Sequence, residues 1–220
     1  MNEMNFDQAR HNMVEQQIRT WTVLDTTVLD TIVDFSREDF VPEAYRRMAY
    51  TDTAVPLEHG QLMMHPKIEA HCLQALDLQP TDKVLEIGTG SGALTALLAQ
   101  LGESVDSVDI FPDFQKTASA KLSAKNHTNV RMIEGDASNG WGEDQQYDAI
   151  AITGALPKLP DQFKHALKVG GRLFCIIGSG QTMEAVSIVR THGDRWVEKS
   201  LFETELPYLV NAEEPVAFEF

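Results

Sequence analysis

Cysteine is scarce in this sequence, which has only Cys72 and Cys175 among its 220 residues. The two lie about a hundred positions apart, in apolar surroundings and without a Cys-x-x-Cys spacing. We therefore expect two reduced core thiols rather than a disulfide or a zinc site. Three histidines recur at intervals of six, at His59, His65 and His71. Six is not the period of one helix face, and no carboxylate or thiolate pattern completes a site, so we expect no metal.

The sequence also has little positive charge. Its 18 Lys and Arg residues against 33 Asp and Glu give a formal net charge of -15. Such a field repels nucleic-acid phosphates and anionic lipid head groups, so we expect no nucleic-acid partner. No apolar run approaches the ~18 residues of a membrane span, and the N-terminus lacks the apolar region of a signal peptide. These absences predict a cytoplasmic protein with no membrane partner.

The first 79 residues have helical hydrophobic periodicity. Apolar residues recur every three to five positions from Phe6 to Trp21, and a second such stretch follows Asp25, a residue suited to a helix N-cap. Pro66 is suited to the first position of a third helix. We therefore predict that residues 1–79 form a helical N-terminal extension that carries a substrate-side loop.

Short apolar runs alternate with helical patterns from residue 80 onward. The runs predict strands in KVLEI, SVDSVDI, NVRMIEG, YDAIAIT and GRLFCII, and the stretches 92–101, 113–125 and 160–168 predict helices between them. This alternation requires right-handed crossovers and a parallel sheet. Two last runs, EAVSIVRT and RWVEKSLFET, predict an antiparallel hairpin at the sheet edge. The fold class is therefore α/β, with a mostly parallel sheet over residues 80–220 that forms one compact unit with the extension.

The most informative stretch is VLEIGTGSGALT, in which a predicted strand leads through alternating glycines into a predicted helix. Gly88, Gly90 and Gly92 allow a tight turn and let a ligand approach the backbone closely. Their Gly-x-Gly-x-Gly spacing departs from the Gly-x-Gly-x-x-Gly of dinucleotide sites. It favours S-adenosylmethionine, which has no pyrophosphate to place at the helix N-terminus.

Acidic residues accompany the first three predicted strands at their carboxyl ends. Glu86 can organise the glycine loop and accept, through water, from an ammonium group, and Asp109 can take both ribose hydroxyls. Asp136 or its neighbouring amide can meet the adenine edge, and Thr153 ends the fourth strand beside the transferred methyl group. The predicted cofactor-binding residues are Glu86, Gly88, Thr89, Gly90, Ser91, Gly92, Asp109, Ile110, Gly135, Asp136, Ala137 and Thr153.

The sequence resembles the protein-L-isoaspartate (D-aspartate) O-methyltransferase family of class I methyltransferases. The resemblance is carried by REDFVP at 37–42, AYTD at 49–52, Pro56-Leu57, Gly60-Gln61 and VLEIGTGSG, and then by GDASNGW, YDAIAITGALPKLP, LKVGGRLFCIIG and Glu205-Leu206-Pro207. It covers nearly the whole chain. It implies a Rossmann-like methyltransferase sheet and S-adenosylmethionine as cofactor, with S-adenosylhomocysteine as product. The implied reaction methylates isoaspartyl carboxyls in damaged proteins or peptides and so starts their repair.

The substrate loop departs from the family pattern. In the family, Gly-Gln is usually followed by Thr-Ile-Ser-x-Pro, with the serine hydroxyl close to the reacting carboxyl. Here the loop reads Gly60-Gln-Leu-Met-Met-His-Pro66, which places Met64 at the serine position. Methionine donates no hydrogen bond. An acidic enzyme that binds a carboxylate depends on such donors, so this position decides which acceptor is expected.

Two interpretations of the loop are open. Backbone amides of residues 63–65, or the His65 imidazole, replace the serine and isoaspartyl repair is kept. Alternatively, the pocket has become apolar and takes another, less polar acceptor, which includes small molecules. A separate alternative concerns the whole chain, which would then bind S-adenosylmethionine without catalysis. The predicted acceptor-side residues are Gln61, Met64 and His65.

Overall fold

The N-terminal segment is helical in the computed structural model, which describes residues 4–142, 145–179 and 182–212. The predicted caps are confirmed: Asp25 accepts a hydrogen bond from the Val28 amide at 3.0 Å, and Pro66 is the first residue of its helix. The segment contains α1 (Phe6–Met13), a π-helical turn (Val14–Ile18), a 3-10 turn (Arg19–Trp21), α2 (Thr26–Asp34), 3-10 turns at Arg37–Asp39 and Glu43–Met48, a hairpin of β1 (Val55–Pro56) and β2 (Leu62–Met63) around a turn at Glu58–Gly60, and α3 (Pro66–Leu76).

Seven strands form the main sheet. They are β3 (Lys83–Ile87), β4 (Ser104–Asp109), β5 (Val130–Glu134), β6 (Tyr147–Leu156), β7 (Leu167–Ser179), β8 (Thr182–His192) and β9 (Arg195–Glu203), and their spatial order is β5-β4-β3-β6-β7-β8-β9. Strands β3 to β7 pair in parallel, and β8 and β9 add antiparallel. The crossover helices are α4 (Ala93–Leu101), α5 (Pro112–Ala124) and α6 (Asp161–His165). The predicted α/β class, the mostly parallel sheet and the C-terminal hairpin are confirmed.

Two predicted boundaries are wrong. The strand predicted to end at Thr153 continues to Leu156 as β6. The helix predicted over 160–168 ends at His165, and β7 begins at Leu167. Leu167 lies opposite Tyr147 of β6, and the Tyr147 amide donates to the Ala166 carbonyl at 2.8 Å. The apolar residues that end the helical pattern therefore belong to the sheet, because pairing with β6 overrides the local periodicity.

Two clusters of buried side chains cover the two faces of the sheet. One joins residues of the extension, such as Met13 and Leu73, to sheet residues such as Phe174, and the other contains Ile150 and Phe163. The segments before and after residue 80 therefore both contribute to the core. The division of the chain into residues 1–79 and 80–220 stays a prediction. Both cysteines are free and buried, as expected. No helix in the described ranges is long and apolar enough to cross a bilayer. Residues 213–220 lie outside the described part of the chain.

Candidate active site

A cavity opens at the carboxyl ends of the parallel strands, where β3 lies between β4 and β6. This is the switch point at which ligands bind in open α/β sheets. Ten of the twelve predicted cofactor residues line it: Gly88, Thr89, Gly90, Ser91, Asp109, Ile110, Gly135, Asp136, Ala137 and Thr153. Gln61 and Met64 line its other side. The fold thus brings the predicted cofactor and acceptor residues together around one space.

The glycine loop cradles this cavity with backbone in the left-handed region. Gly88, Gly90 and Gly92 have φ angles of +94°, +49° and +84°. A Cβ on Gly88 would lie 2.2 Å from the Thr153 hydroxyl, which itself lies 2.9 Å from the Ile87 carbonyl oxygen and 2.8 Å from that of Gly88. The first glycine is therefore required both by its φ angle and by the close approach of β6.

Asp109 ends β4 and connects the loop to the sheet. Its carboxylate accepts from the Gly90 and Phe111 amides, both at 2.9 Å. Burial raises the pKa of Asp109, and the hydrogen bonds from these amides oppose that rise. Each carboxylate oxygen keeps lone-pair capacity beyond one amide, so Asp109 can still accept from a diol in the cavity.

Glu86 does not line the cavity with the other predicted residues, and neither does Gly92. The Glu86 carboxylate is fully buried, and one oxygen accepts from the Thr95 and Ser107 hydroxyls, each at 2.6 Å. Ser107 in turn lies 2.6 Å from the Thr89 hydroxyl of the glycine loop. Glu86 therefore organises the loop from below, as predicted, but the structure does not place it where an ammonium group would reach it.

Glu86 makes the free energy of unfolding depend on pH. Burial raises the pKa of Glu86 to about 8. The folded state holds this proton up to about pH 8, whereas the unfolded chain releases it near about pH 4.3, so stability falls as the pH rises between these values. We expect Glu86→Gln to remove this dependence. Between about pH 6 and about pH 8, the wild type should lose on the order of 2 kcal/mol more unfolding free energy than the variant in urea titrations. Parallel curves for the two proteins would contradict this assignment.

The acceptor side of the cavity is apolar. It is formed by the substrate loop and by a C-terminal segment that returns to the site, and the side chains are Leu57, Leu62, Met63, Met64, Leu206, Pro207 and Leu209. Backbone hydrogen bonds between Ala155 of β6 and residues Pro207 and Leu209, each 2.9 Å, hold this segment in place. Sequence reasoning assigned no site role to residues 206–209, whose approach to the cavity depends on tertiary packing.

His65 does not face this cavity. Its Nδ1 lies 3.1 Å from a carboxylate oxygen of Asp52, and His65 lines an adjoining outer groove with Trp21 and Tyr208. That groove shares Leu62, Leu206 and Pro207 with the cavity. In this structure the imidazole pairs with Asp52 and does not line the cavity beside Met64, and its role at the acceptor stays a prediction. Within the described ranges, no group of three His, Cys, Asp or Glu side chains could hold a metal ion.

Two aromatic side chains that sequence reasoning missed form a wall of the cavity. Phe111 and Phe114 lie two and five positions after Asp109, and their rings meet edge to face. The His59 ring stacks on Phe111 at 4.0 Å and its Nε2 lies 2.8 Å from a carboxylate oxygen of Asp113. The sequence FPDF after an acidic strand end was the available signal, because a flat apolar wall beside the ribose position suits a purine ring.

Comparisons with known proteins show the family of this chain. The family model for protein-L-isoaspartate (D-aspartate) O-methyltransferase matches residues 8–212. The chain belongs to this family. The protein-L-isoaspartate O-methyltransferase 2 of Pelobacter propionicus is 34% identical, over 95% of this chain and 93% of its own length. The Myxococcus xanthus protein-L-isoaspartate O-methyltransferase is 41% identical, over 76% of this chain and 80% of its own.

A solved structure shows the same fold. It is a Plasmodium falciparum protein described as a protein-L-isoaspartate O-methyltransferase, in complex with S-adenosyl-L-homocysteine. It matches with a TM-score of 0.79 and 21% identity, over 94% of this chain and 99% of that chain. The family and fold predicted from the sequence are therefore confirmed.

Proposed function

We propose that this chain transfers a methyl group from S-adenosylmethionine to the carboxyl of isoaspartyl residues in damaged proteins or peptides. Membership of the isoaspartyl methyltransferase family supports the enzyme class and the cofactor. The observation that carries the proposal is the single cavity in which the glycine loop and Asp109 meet the substrate loop at Gln61 and Met64. A cytoplasmic location is part of the proposal, and the two free cysteines are compatible with a reducing compartment.

The residues of the cavity fit an adenosyl cofactor. A Cβ at Gly88 would clash with Thr153, so only glycine lets the loop pack this closely against β6, and the loop backbone borders the cavity. Asp109 offers carboxylate oxygens for the ribose, and Phe111 and Phe114 offer an apolar surface for the base. The ten lining residues predicted to bind the cofactor are assigned to it on this basis, whereas Glu86 and Gly92 support the loop from outside the lining.

The acceptor side promotes methyl transfer by positioning the acceptor carboxyl and by excluding water. When bound, S-adenosylmethionine supplies an electrophilic methyl group. An aspartyl-type carboxyl with an ordinary pKa of about 3.9 is already ionised at neutral pH, so the chain needs no general base. Met63, Met64 and Leu206 exclude water from the acceptor. The Gln61 side-chain amide, which also donates to the His59 carbonyl at 3.3 Å, is a hydrogen-bond donor on this side of the cavity.

Methyl transfer to matched peptides tests the proposal. The chain is incubated with labelled S-adenosylmethionine and either an isoaspartyl peptide or its normal aspartyl counterpart. We expect base-labile methyl ester on the isoaspartyl peptide alone. Equal ester on both peptides, or none on either, would refute isoaspartyl specificity.

The buried methionines favour a second candidate, a methyltransferase for a less polar acceptor. Met64→Ser separates the two, because it restores a hydroxyl donor at the family position. If the loop has only lost a donor, the variant should raise kcat/KM for the isoaspartyl peptide by about 10- to 100-fold, the range for one hydrogen bond to a charged group. Met63→Ser is the matched control, since both methionines are buried in the same wall. No gain in Met64→Ser relative to Met63→Ser would favour the other acceptor.

A further inference from the structure

Glu69 is an acidic residue of the cavity that sequence reasoning did not assign. It lies on α3 and is buried, and it lines the cavity together with Ser91, Ala93 and Leu94 at the start of α4. It also lines a small second cavity with Leu97, one turn further along α4. Glu69 therefore lies beside the first turns of α4, whereas the other acidic lining residues, Asp109 and Asp136, follow β4 and β5.

Arg37 holds this carboxylate in position. The two side chains form an ion pair with exposed fractions of 3% and 7%, and Arg37 Nη2 donates to the Met64 carbonyl at 2.8 Å. Burial raises the pKa of Glu69, and the adjacent guanidinium opposes that rise, so it favours the ionised form. The pair thus links the substrate loop to an anionic oxygen on the cavity wall.

The chemistry of the cofactor explains why an anion is needed at this place. Its methionine end is a zwitterion with a carboxylate and an ammonium group. The amides at the start of α4 and the helix dipole favour the carboxylate and disfavour the ammonium. Glu86 faces Thr95 and Ser107 below the loop, and the Asp109 oxygens face the Gly90 and Phe111 amides on the β4 side.

We propose that Glu69, held by Arg37, binds the ammonium group at the methionine end of the cofactor. This inference rests on the cofactor of the proposed function and not on its acceptor. The charges of Glu69 and Arg37 cancel, so an anionic acceptor can still approach the neighbouring side chains of Met63 and Met64.

Calorimetric binding of two ligands tests the assignment. S-adenosylhomocysteine carries the ammonium group, whereas 5′-methylthioadenosine has the same adenosyl part without the amino-acid end. Glu69→Gln should weaken binding of S-adenosylhomocysteine by about 10- to 100-fold, the range for a hydrogen bond to a charged group. It should leave 5′-methylthioadenosine bound as in the wild type. Glu103→Gln makes the same change of charge at an exposed site where β4 begins, and both ligands should bind it normally.

A second variant covers the case in which Glu69→Gln folds poorly. Arg37→Met/Glu69→Leu removes both charges together, a change that buried pairs often tolerate, and it should give the same selective loss. Unchanged S-adenosylhomocysteine affinity, or an equal loss for both ligands, would overturn the assignment. Normal S-adenosylhomocysteine binding by a wild type that methylates no isoaspartyl peptide would refute the proposed acceptor alone.

Discussion

Gly88→Ala should abolish detectable binding of S-adenosylhomocysteine, a loss of at least about 100-fold. The added Cβ would lie 2.2 Å from the Thr153 hydroxyl, far inside contact distance. Either the loop moves away from β6 or Thr153 gives up its contacts with the Ile87 and Gly88 carbonyls. The first response displaces the backbone that borders the ligand, and the second moves the side chain of a residue that lines the same cavity. Calorimetry with the purified variant measures the loss directly.

Gly170→Ala is the matched control for this variant. Gly170 has a similar φ angle of +84°, but a Cβ there would meet nothing within 4 Å. The control should therefore lose about 1 kcal/mol of stability from backbone strain and bind S-adenosylhomocysteine normally. Adding Thr153→Ala to Gly88→Ala removes the obstructing hydroxyl and should restore part of the affinity. Equal affinity of Gly88→Ala and the wild type would contradict the proposed cradle.

The part of the site that was predictable from sequence is the part built by strand ends. The glycine loop and Asp109 each follow a strand directly, and parallel strands bring their carboxyl ends to one edge. Once the strands are assigned, the local sequence therefore predicts that the glycine loop and Asp109 lie close together. Local sequence did not determine the end of the helix predicted over 160–168. There Leu167 pairs with Tyr147, so β7 begins inside a stretch with helical periodicity.

The rest of the site was less predictable because tertiary contacts build it. Glu69 lies in the buried stripe of α3, in phase with Cys72, Leu73 and Leu76, and an acid in such a stripe is a signal of a buried partner. The identity of that partner is not a local property, since Arg37 lies 32 positions earlier in the chain. His65 shows the converse case: its position in the loop suggested the acceptor site, but its ring pairs with Asp52.

Because the chain has a net charge of -15, the contacts of the cationic side chain of Arg37 beside the substrate loop are important. An acidic chain that binds a carboxylate needs local compensation, and Met64 supplies no hydrogen-bond donor from its side chain. In this structure the Met64 backbone carbonyl is bonded by Arg37, whose own charge is balanced by Glu69. The buried ion pair therefore fixes the substrate loop without adding net charge beside the acceptor.

Arg37→Met should lower the free energy of unfolding by about 3–5 kcal/mol near neutral pH, because it leaves Glu69 buried without its cation. The variant also loses the bond to the Met64 carbonyl. Arg19→Met is the control, since Arg19 forms an exposed pair with Glu15 and its loss should change stability by about 0.5 kcal/mol at most. Urea unfolding of the three proteins measures both differences.

The pH dependence of the deficit identifies its cause. Without Arg37, the pKa of Glu69 in the folded state rises further, so the folded state holds a proton that the unfolded chain releases near about pH 4.3. The deficit of Arg37→Met should therefore grow as the pH rises from about pH 5 to about pH 8. Arg37→Met/Glu69→Leu should recover most of the loss and show no such growth. A deficit that is the same at both pH values would mean that Arg37 stabilises the fold through packing and the Met64 carbonyl rather than through the charge of Glu69.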